Sequence, residues 1–260
     1  MKDLRISIIQ FNIAWKEVEN NLKHCESLIC SLQGKTDLVV LPEMFATGFS
    51  VDAVHLAETN TSNTIQQVSR WAREFKFAVC GSFLAKDDSG AIFNRGFFIT
   101  PESDSYFYDK RHLFRMGKEN DFLTIGNKTV IIPYNGWNIR MIICYDLRFP
   151  VWIRNKENEY DLLICVANWP ENRASVWETL LKARALENQC YVCGVNRIGT
   201  DKNKISYKGD SILIDYKGNT ILEATPHKET TLTGSINKNV LDEFREKFPV
   251  WMDADSFEIK

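Results

Sequence analysis

The segment WNIRMIICYDLRFPVW, residues 137–152, decides how the rest of the chain is interpreted. Its apolar run ends at Cys144, and a polar turn begins at Tyr145. Strand alternation places Arg140, Ile142 and Cys144 on one face. Because a cysteine in an apolar run is usually a core residue, the segment alone favours a buried thiol over a nucleophile.

Helix and strand patterns alternate around this segment. The first half follows a β-α-β-α rhythm with the buried strand TDLVVLP at 36–42, whereas the middle contains four strand patterns without a long helix between the first two. A later helix is predicted at about 175–187. Helices at both ends must cover the sheets from outside, and the simplest solution stacks two sheets face to face. The sequence therefore predicts an α/β fold, a four-layer α-β-β-α sandwich, in one domain spanning residues 1–260.

The C-terminal segment, residues 240–260, is unusually rich in large apolar side chains. Leu241, Phe244 and Phe248 share one side of a helical pattern, and Trp251 and Phe257 follow it. Such residues after the last core strand predict that the segment docks on the body of the domain or on a partner subunit.

Composition excludes several classes of partner. Hydrophobic residues make up 44% and charged residues 25%, and 32 basic residues nearly balance 34 acidic ones, so no overall field attracts nucleic acid or an anionic membrane. No apolar run reaches the roughly 18 residues of a membrane span. The N-terminal apolar stretch is interrupted by polar residues and reads as a strand rather than a signal peptide. A small neutral or singly charged partner fits better.

The cysteines and histidines indicate a reduced protein without a metal site. Seven cysteines form an odd, scattered set, which favours free thiols and a cytoplasmic location. The sequence CYVC at 190–193 lies in a strand pattern, where positions three apart face opposite sides, unlike a redox pair. The four histidines lack the spacing of metal ligands.

Three strands end in a reactive side chain. Glu43 follows DLVVLP, Lys110 follows SYFYD, and Cys144 follows IRMII. Taken singly, each is more often a turn acid, a solvated lysine or a core thiol. Together they have a coherent chemistry, because a thiol of pKa about 8.5 needs a base or a cation to act as a nucleophile. Glu43 supplies a base and Lys110 a cation, and the Tyr145 N–H is a natural second donor to an oxyanion.

The segments LPEMFATGF, YDKRHLF and IICYDLRFP resemble the three signatures of the nitrilase superfamily of carbon-nitrogen hydrolases, in the same order. The resemblance continues through VANWPENR and GDSILIDYKGNTI and covers nearly the whole chain. Within the superfamily, the sequence is most similar to the omega-amidases, which act on omega-amides of 2-oxo acids. The fold that this resemblance implies is the nitrilase-type sandwich, usually as a homodimer or a larger assembly.

The resemblance also implies roles for individual residues, and a reaction that needs no metal or organic cofactor. Glu43 would be the general base, Lys110 would stabilise the oxyanion, and Cys144 would attack the amide and form a thioester. Family members have a further glutamate after the catalytic lysine. Glu119 is the only glutamate in that loop, but Asp121 is close enough to remain an alternative.

Substrate contacts are harder to read. A carboxylate-bearing amide needs a cation, and arginine suits a carboxylate because its fork donates two parallel hydrogen bonds. Arg115, Arg148 and Arg173 lie in loops next to the predicted site, and Arg173 is the preferred candidate, since Arg148 has a structural alternative in pairing with an acid. The pocket walls are predicted to include three aromatic residues: Phe45, Tyr145 and Trp169.

Three alternatives stay open on the sequence. A Cys-His hydrolase would use His112, two residues after Lys110, as its base. A non-catalytic binding protein on the same fold is also possible, since fold does not determine function. Within the superfamily, nitrilases and carbamoylases use the same triad.

Overall fold

The computed structural model describes residues 3–259. Residues 1, 2 and 260, which belong to the predicted domain span, lie outside the described residues. Strands and helices are numbered below in chain order. Of the helices in the described part of the chain, none combines the length and apolar character needed to cross a membrane.

The first sheet has six strands in the order β14-β1-β2-β3-β4-β5. Strands β1, β2 and β3 are parallel, whereas β14, β4 and β5 pair antiparallel to their neighbours. Three residues of β2 have no solvent exposure, as expected of a central parallel strand. The strands are β1 Leu4–Gln10, β2 Leu38–Val40, β3 Ala78–Lys86, β4 Ile92–Ile99, β5 Ser105–Asp109 and β14 Thr230–Ile236.

The second sheet also has six strands, in the order β13-β12-β9-β8-β7-β6, with β7, β8 and β9 parallel. A separate two-stranded hairpin follows β9. The strands of this half are β6 Ile131–Tyr134, β7 Trp137–Ile143, β8 Leu162–Ala167, β9 Tyr191–Asn196, β12 Ile212–Ile214 and β13 Thr220–Glu223, and the hairpin consists of β10 Ile198–Thr200 and β11 Ser206–Lys208.

Helices cover the outer face of each sheet. Trp71 of the second helix is buried in one apolar cluster with Val39 and Val79 of the first sheet. On the other side, a Cβ on Gly194 of β9 would lie 2.5 Å from Leu181 of the fifth helix, so glycine allows that helix to pack closely. The helices are α1 Val18–Ile29, α2 Asn63–Phe75, α3 Glu119–Phe122, α4 Pro150–Ile153, α5 Ala174–Asn188 and α6 Lys238–Lys247.

The two sheets pack face to face through an apolar core. Phe98 of β4 and Tyr134 of β6 form an edge-to-face pair with ring centroids 5.4 Å apart. Gly96 lies directly against Met141, since a Cβ at this position would approach the Met141 Cε to 2.7 Å. The predicted α-β-β-α sandwich is therefore confirmed.

The C-terminal helix α6 docks on the body of the domain. Arg245 reaches the buried carboxylate of Asp161, with 2.8 Å between Nη1 and Oδ1, and donates further bonds to the carbonyls of Gln189 and Tyr160. Lys238 binds the same carboxylate at 2.8 Å. A buried carboxylate with two cationic partners attaches the segment to the second sheet.

The topology brings four loops to one rim. The carboxyl ends of the parallel strands of both sheets lie at the same rim of the sandwich. This is shown by hydrogen bonds between the loop after β2 and the loop after β8. The Asn168 N–H donates to the Glu43 Oε2 at 2.7 Å across the two sheets. Loops after β5 and β7 meet at this rim as well, which is the place where sheet folds build active sites.

Candidate active site

Glu43 lies fully buried in the turn after β2. Its Oε1 accepts from Lys110 at 2.9 Å and from Asn94 at 2.7 Å, and its Oε2 accepts the Asn168 N–H at 2.7 Å. The next residue, Met44, has a φ of 46°, and its N–H donates to Ser82. The carboxylate is therefore held from both sheets in one orientation.

Lys110 directly follows β5, and its side chain is fully buried. Its Nζ contacts the Glu43 Oε1 at 2.9 Å and both oxygens of Glu119, at 3.1 and 2.9 Å. Burial alone would lower the pKa of the lysine, but the carboxylates of Glu119 and Glu43 outweigh it and raise that pKa well above its usual value. We therefore expect Lys110 to be a protonated ammonium in the site.

Glu119, rather than Asp121, is the acid of the loop that reaches the site. Glu119 begins α3, is fully buried, and accepts the Phe114 N–H at 2.7 Å. Burial raises its pKa, opposed by the Lys110 ammonium. Asp121 is exposed and accepts from the neighbouring Asn120. The structure thus brings the expected second glutamate to Lys110.

Cys144 begins a 3-10 turn over Cys144–Arg148 directly after β7. Its φ of 45° is in the left-handed region, which costs a non-glycine residue about 1–3 kcal/mol and places the thiol at the cavity. Asp146 supports the turn by accepting the Ile143 N–H at 3.1 Å. Burial and the Glu43 carboxylate raise the pKa of the Cys144 thiol well above its usual value, although the Lys110 ammonium opposes them. We therefore expect a neutral Cys144 thiol in the resting site.

His112 belongs to the support of this turn. Its Nδ1 and its backbone N–H each lie 2.8 Å from the Asp146 Oδ1, and its ring stacks on Phe149 with centroids 3.7 Å apart. His112 is also not among the residues that line the cavity. The geometry therefore favours Glu43 over His112 as the base beside Cys144.

A cavity of about 660 Å³ opens over Cys144 and Lys110. Its inner wall includes Phe49, whose ring centroid lies 5.6 Å from the Lys110 Nζ. The outer wall comes from the loops around 114–122 and 168–173 and from the β10–β11 hairpin, which contributes Asp201 and Tyr207. A space of this size accommodates a small amide with room at its outer end.

Two of the three candidate arginines line this cavity. Arg173 lies over the Phe114 ring at 5.4 Å and Arg148 over the Trp169 ring at 5.1 Å. Neither guanidinium is paired with a carboxylate in residues 3–259, so the structural alternative for Arg148, an ion pair within the turn, is not found. Arg115 is exposed and lies outside the cavity lining.

The aromatic predictions have a mixed outcome. Trp169 lines the cavity and donates its Nε1–H to the Arg173 carbonyl at 2.8 Å, and Tyr145 lines the cavity as well. The prediction for Phe45 is wrong. Its side chain points into the core, where it packs edge-to-face against Trp71 and Phe97, with ring centroids 6.4 and 5.8 Å away.

Asn94 and Asn168 are functional candidates that the sequence analysis missed. Asn94 contacts both buried glutamates, and Asn168 binds Glu43 and lines the cavity. The signal was present for Asn94, a polar residue inside the otherwise apolar strand IFNRGFF, since a buried polar group needs hydrogen-bond partners. Within residues 3–259 no cluster of three or more histidine, cysteine, aspartate or glutamate side chains is arranged to hold a metal ion.

Comparison with known families agrees with this geometry. The model of the carbon-nitrogen hydrolase family matches residues 5–246. The chain belongs to the carbon-nitrogen hydrolase family. This carbon-nitrogen hydrolase is 40% identical over 259 residues to the omega-amidase YafV of Escherichia coli K12, with all of both chains covered. It is 29% identical to the 2-oxoglutaramate amidase of Bacillus subtilis, over 95% of this chain and 96% of that one.

A solved structure supports the same assignment. The hydrolase resembles the crystal structure of XC1258 from Xanthomonas campestris, a CN-hydrolase superfamily protein with an arsenic adduct in its active site. The two chains superpose with a TM-score of 0.97 and 39% identity, and each is covered completely. The predicted membership of the nitrilase superfamily is thus confirmed.

Proposed function

We propose that this carbon-nitrogen hydrolase is a cysteine-dependent amidase in which Glu43, Lys110 and Cys144 act as the catalytic triad. The observation that carries the proposal is that Cys144 and Lys110 face one cavity, with Glu43 bonded to the lysine behind them. The amidase names of the relatives at 40% and 29% identity support the same reaction class.

The proposed reaction starts from the neutral thiol. Glu43 accepts the Cys144 proton as sulfur attacks the amide carbon, because the raised pKa of the thiol leaves little thiolate at neutral pH. The developing oxyanion is stabilised by the Lys110 ammonium and by the backbone N–H of Tyr145, the second residue of the 3-10 turn.

Collapse of the tetrahedral intermediate completes acylation. Glu43 returns the proton to the amide nitrogen and the carbon-nitrogen bond breaks. Ammonia departs, and the acyl group remains on Cys144 as a thioester. In the second half, Glu43 takes a proton from water, the resulting hydroxide attacks the thioester, and the carbon-sulfur bond breaks. The thiolate regains the proton from Glu43, so that the enzyme returns to its starting state.

We infer that the substrate is the omega-amide of a 2-oxo dicarboxylic acid. Such a molecule has a primary amide at one end and a carboxylate at the other. The cavity has Cys144 at its inner end and the unpaired guanidinium groups of Arg148 and Arg173 along its wall. A fork of parallel donors suits a carboxylate.

The substrate proposal is tested by measuring ammonia release from a panel of compounds. We expect turnover of 2-oxoglutaramate and 2-oxosuccinamate to exceed that of glutamine, asparagine and simple amides. Turnover confined to nitriles or carbamoyl compounds would replace the proposed substrate by another superfamily activity. Complete inertness of Cys144 toward an electrophilic substrate analogue, detected by intact mass, would leave a binding protein instead.

We also propose a single-domain, cytoplasmic homodimer. All seven cysteines are free, which fits a reducing compartment. Two exposed apolar residues lie at the C-terminal end of α5: Leu186 in its last turn, and Phe248, whose carbonyl accepts from the Gln189 side chain. Scattering mass at low concentration tests the dimer, and Leu186→Ser with Phe248→Ser should shift the mass toward that of the 30.1 kDa monomer.

A further inference from the structure

Asn94 occupies a position in the active site that parallels that of Lys110. The Lys110 Nζ bridges the Oε1 atoms of Glu43 and Glu119 at 2.9 and 3.1 Å. The Asn94 Nδ2 bridges the same two oxygens at 2.7 and 3.0 Å. Two donors and two acceptors therefore form a closed four-membered ring of hydrogen bonds, in which one donor is charged and the other is neutral.

Sheet register explains why these two donors meet. Arg95 and Asp109 are paired in the β4–β5 ladder, and the Lys110 N–H donates to the Asn94 carbonyl at 3.0 Å, which extends the ladder by one residue. Asn94 and Lys110 are thus cross-strand neighbours. Their side chains leave adjacent strands on the same face of the sheet and reach the same pair of oxygens.

The direction of the Asn94 amide is determined by Ser82. The Met44 N–H donates to the Ser82 Oγ at 2.9 Å, and the Ser82 hydroxyl donates to the Asn94 Oδ1 at 3.0 Å. The NH₂ group of Asn94 must then face the carboxylates. A flipped amide would place its oxygen against two carboxylate oxygens, so both ends of the group require the same orientation.

We propose that Asn94 is a positioning residue of the active site, which holds Glu43 and Glu119 as two ionised carboxylates around a single ammonium, with Ser82 setting the direction of its amide. The inference rests on the proposed role of Glu43 as the base. Two buried carboxylates beside one cation disfavour each other's charge, so every donor to them favours the ionised pair. The Asn168 N–H donates to Glu43 and the Phe114 N–H to Glu119, but Asn94 is the neutral side chain that donates to both. Asn94 supplies one N–H to each of them, and neither N–H can be transferred to the base.

Four other titratable groups face or interact with the carboxylates of Glu43 and Glu119. Lys110 and Cys144 face the carboxylates from the ends of β5 and β7. Cys165 of β8 and Tyr207 of the hairpin interact with Glu43 from farther away. None of these groups can replace the lost Asn94 donor to both oxygens, so its removal should make protonation of the pair easier.

The inference is tested by the pH dependence of kcat/KM for the best primary amide of the panel. In Asn94→Ala, we expect the acidic limb to move upward by about one pH unit, since a hydrogen bond to a charged group is worth roughly that shift. In Asn94→Asp, the added carboxylate should move the limb further. Because Asn94 does not line the cavity, kcat should fall while KM changes little.

Two further variants separate positioning from a structural role. Ser82→Ala should move the limb in the same direction by a smaller amount, and it serves where an Asn94 variant does not fold. Asn155→Ala is the matched control, because Asn155 is also buried and donates to the Tyr160 and Asn188 carbonyls away from the site. It should lower the melting temperature without moving the limb.

The inference is overturned if the limb stays in place in Asn94→Ala and Ser82→Ala, or if Asn155→Ala moves it equally. Failure of the proposed function would look different. In that case Cys144→Ala would retain activity, or the wild-type protein would release ammonia from no member of the panel, and the Asn94 inference would be lost with it.

Discussion

The charged side chains at the two ends of the cavity differ in whether they are paired. At the inner end, Glu43, Lys110 and Glu119 have no solvent-exposed side-chain surface, and each is bonded to the others or to Asn94. At the outer wall, Arg148 and Arg173 pair with no carboxylate of the described residues. A buried charge must be paired because its desolvation is costly, whereas an unpaired guanidinium at a cavity wall is available to a ligand. The inner end thus suits chemistry and the outer wall suits recognition.

The largest expected loss of activity comes from a substitution at the inner end of the cavity. Glu43→Gln should reduce kcat by about 10²- to 10⁴-fold, because it removes the proposed general base and keeps the volume of the side chain. His112→Gln should cost far less, since His112 supports the turn through Asp146. Steady-state ammonia release from both variants makes the comparison. A larger loss in His112→Gln than in Glu43→Gln would contradict the triad.

The next effect concerns the outer wall. Arg173→Gln and Arg148→Gln should each raise KM for a 2-oxo acid amide by about 10- to 100-fold, the usual value of a charge-assisted hydrogen bond, with a smaller change in kcat. A neutral amide without a carboxylate should be unaffected. Arg115→Gln is the control, because Arg115 is exposed and outside the cavity. Equal losses on neutral and carboxylate-bearing amides would remove these arginines from substrate binding.

A third prediction separates thiol reactivity from catalysis. Because the pKa of Cys144 is raised, alkylation by iodoacetamide should be slow at neutral pH and accelerate about ten-fold per pH unit up to pH 9. Glu43→Gln removes a negative neighbour, so it should lower that pKa and speed alkylation at a given pH while amide hydrolysis falls. Peptide mass spectrometry follows the reaction.

The exposed thiol of Cys30 is the internal reference for reagent reactivity in that experiment. If Cys144 is alkylated more slowly in Glu43→Gln than in the wild-type protein, the carboxylate does not raise the thiol pKa. The hypothesis that the Cys144 thiol is neutral in the resting enzyme would then be wrong.

The smallest expected effect on kcat/KM comes from a substitution at the mouth of the cavity. Lys202 lines the cavity mouth on the β10–β11 hairpin and is exposed, so its attraction for an anionic substrate is screened by salt. Lys202→Asn should lower kcat/KM a few-fold at low ionic strength and leave it unchanged at about 0.5 M salt. Lys204→Asn, on the same hairpin but outside the cavity lining, should show no such dependence.

Much of the fold could be predicted because it depends on local patterns. The helix predicted at about 175–187 is observed as Ala174–Asn188, and the apolar run before Cys144 is observed as the strand Trp137–Ile143. The β10–β11 hairpin and β14 were not predicted. Strand β14 pairs with β1 more than 200 residues away, and such a contact leaves little trace in a local pattern.

The residues of the candidate site were also only partly predictable from local sequence patterns. Phe45 was assigned to the pocket because it follows a strand end, but in the turn after β2, where Met44 has a φ of 46°, the Phe45 side chain packs in the core against Trp71. Asp121 and Glu119 could not be separated by sequence, since they differ by two positions in a short loop. Only the folded turn shows that Glu119 is the one that reaches Lys110.

By itself, the sequence determined which reactive groups follow three of the strands: an acid at Glu43, an amine at Lys110 and a thiol at Cys144. The tertiary structure decided how those groups are paired, because hydrogen bonds between distant strands depend on sheet register and on the packing of one sheet against the other. The ring formed by Lys110, Asn94 and the two glutamates is of this kind. Its members are separated by up to 76 positions, from Glu43 to Glu119, and meet because β2, β4 and β5 belong to one sheet and the loop after β5 brings Glu119 back to Lys110.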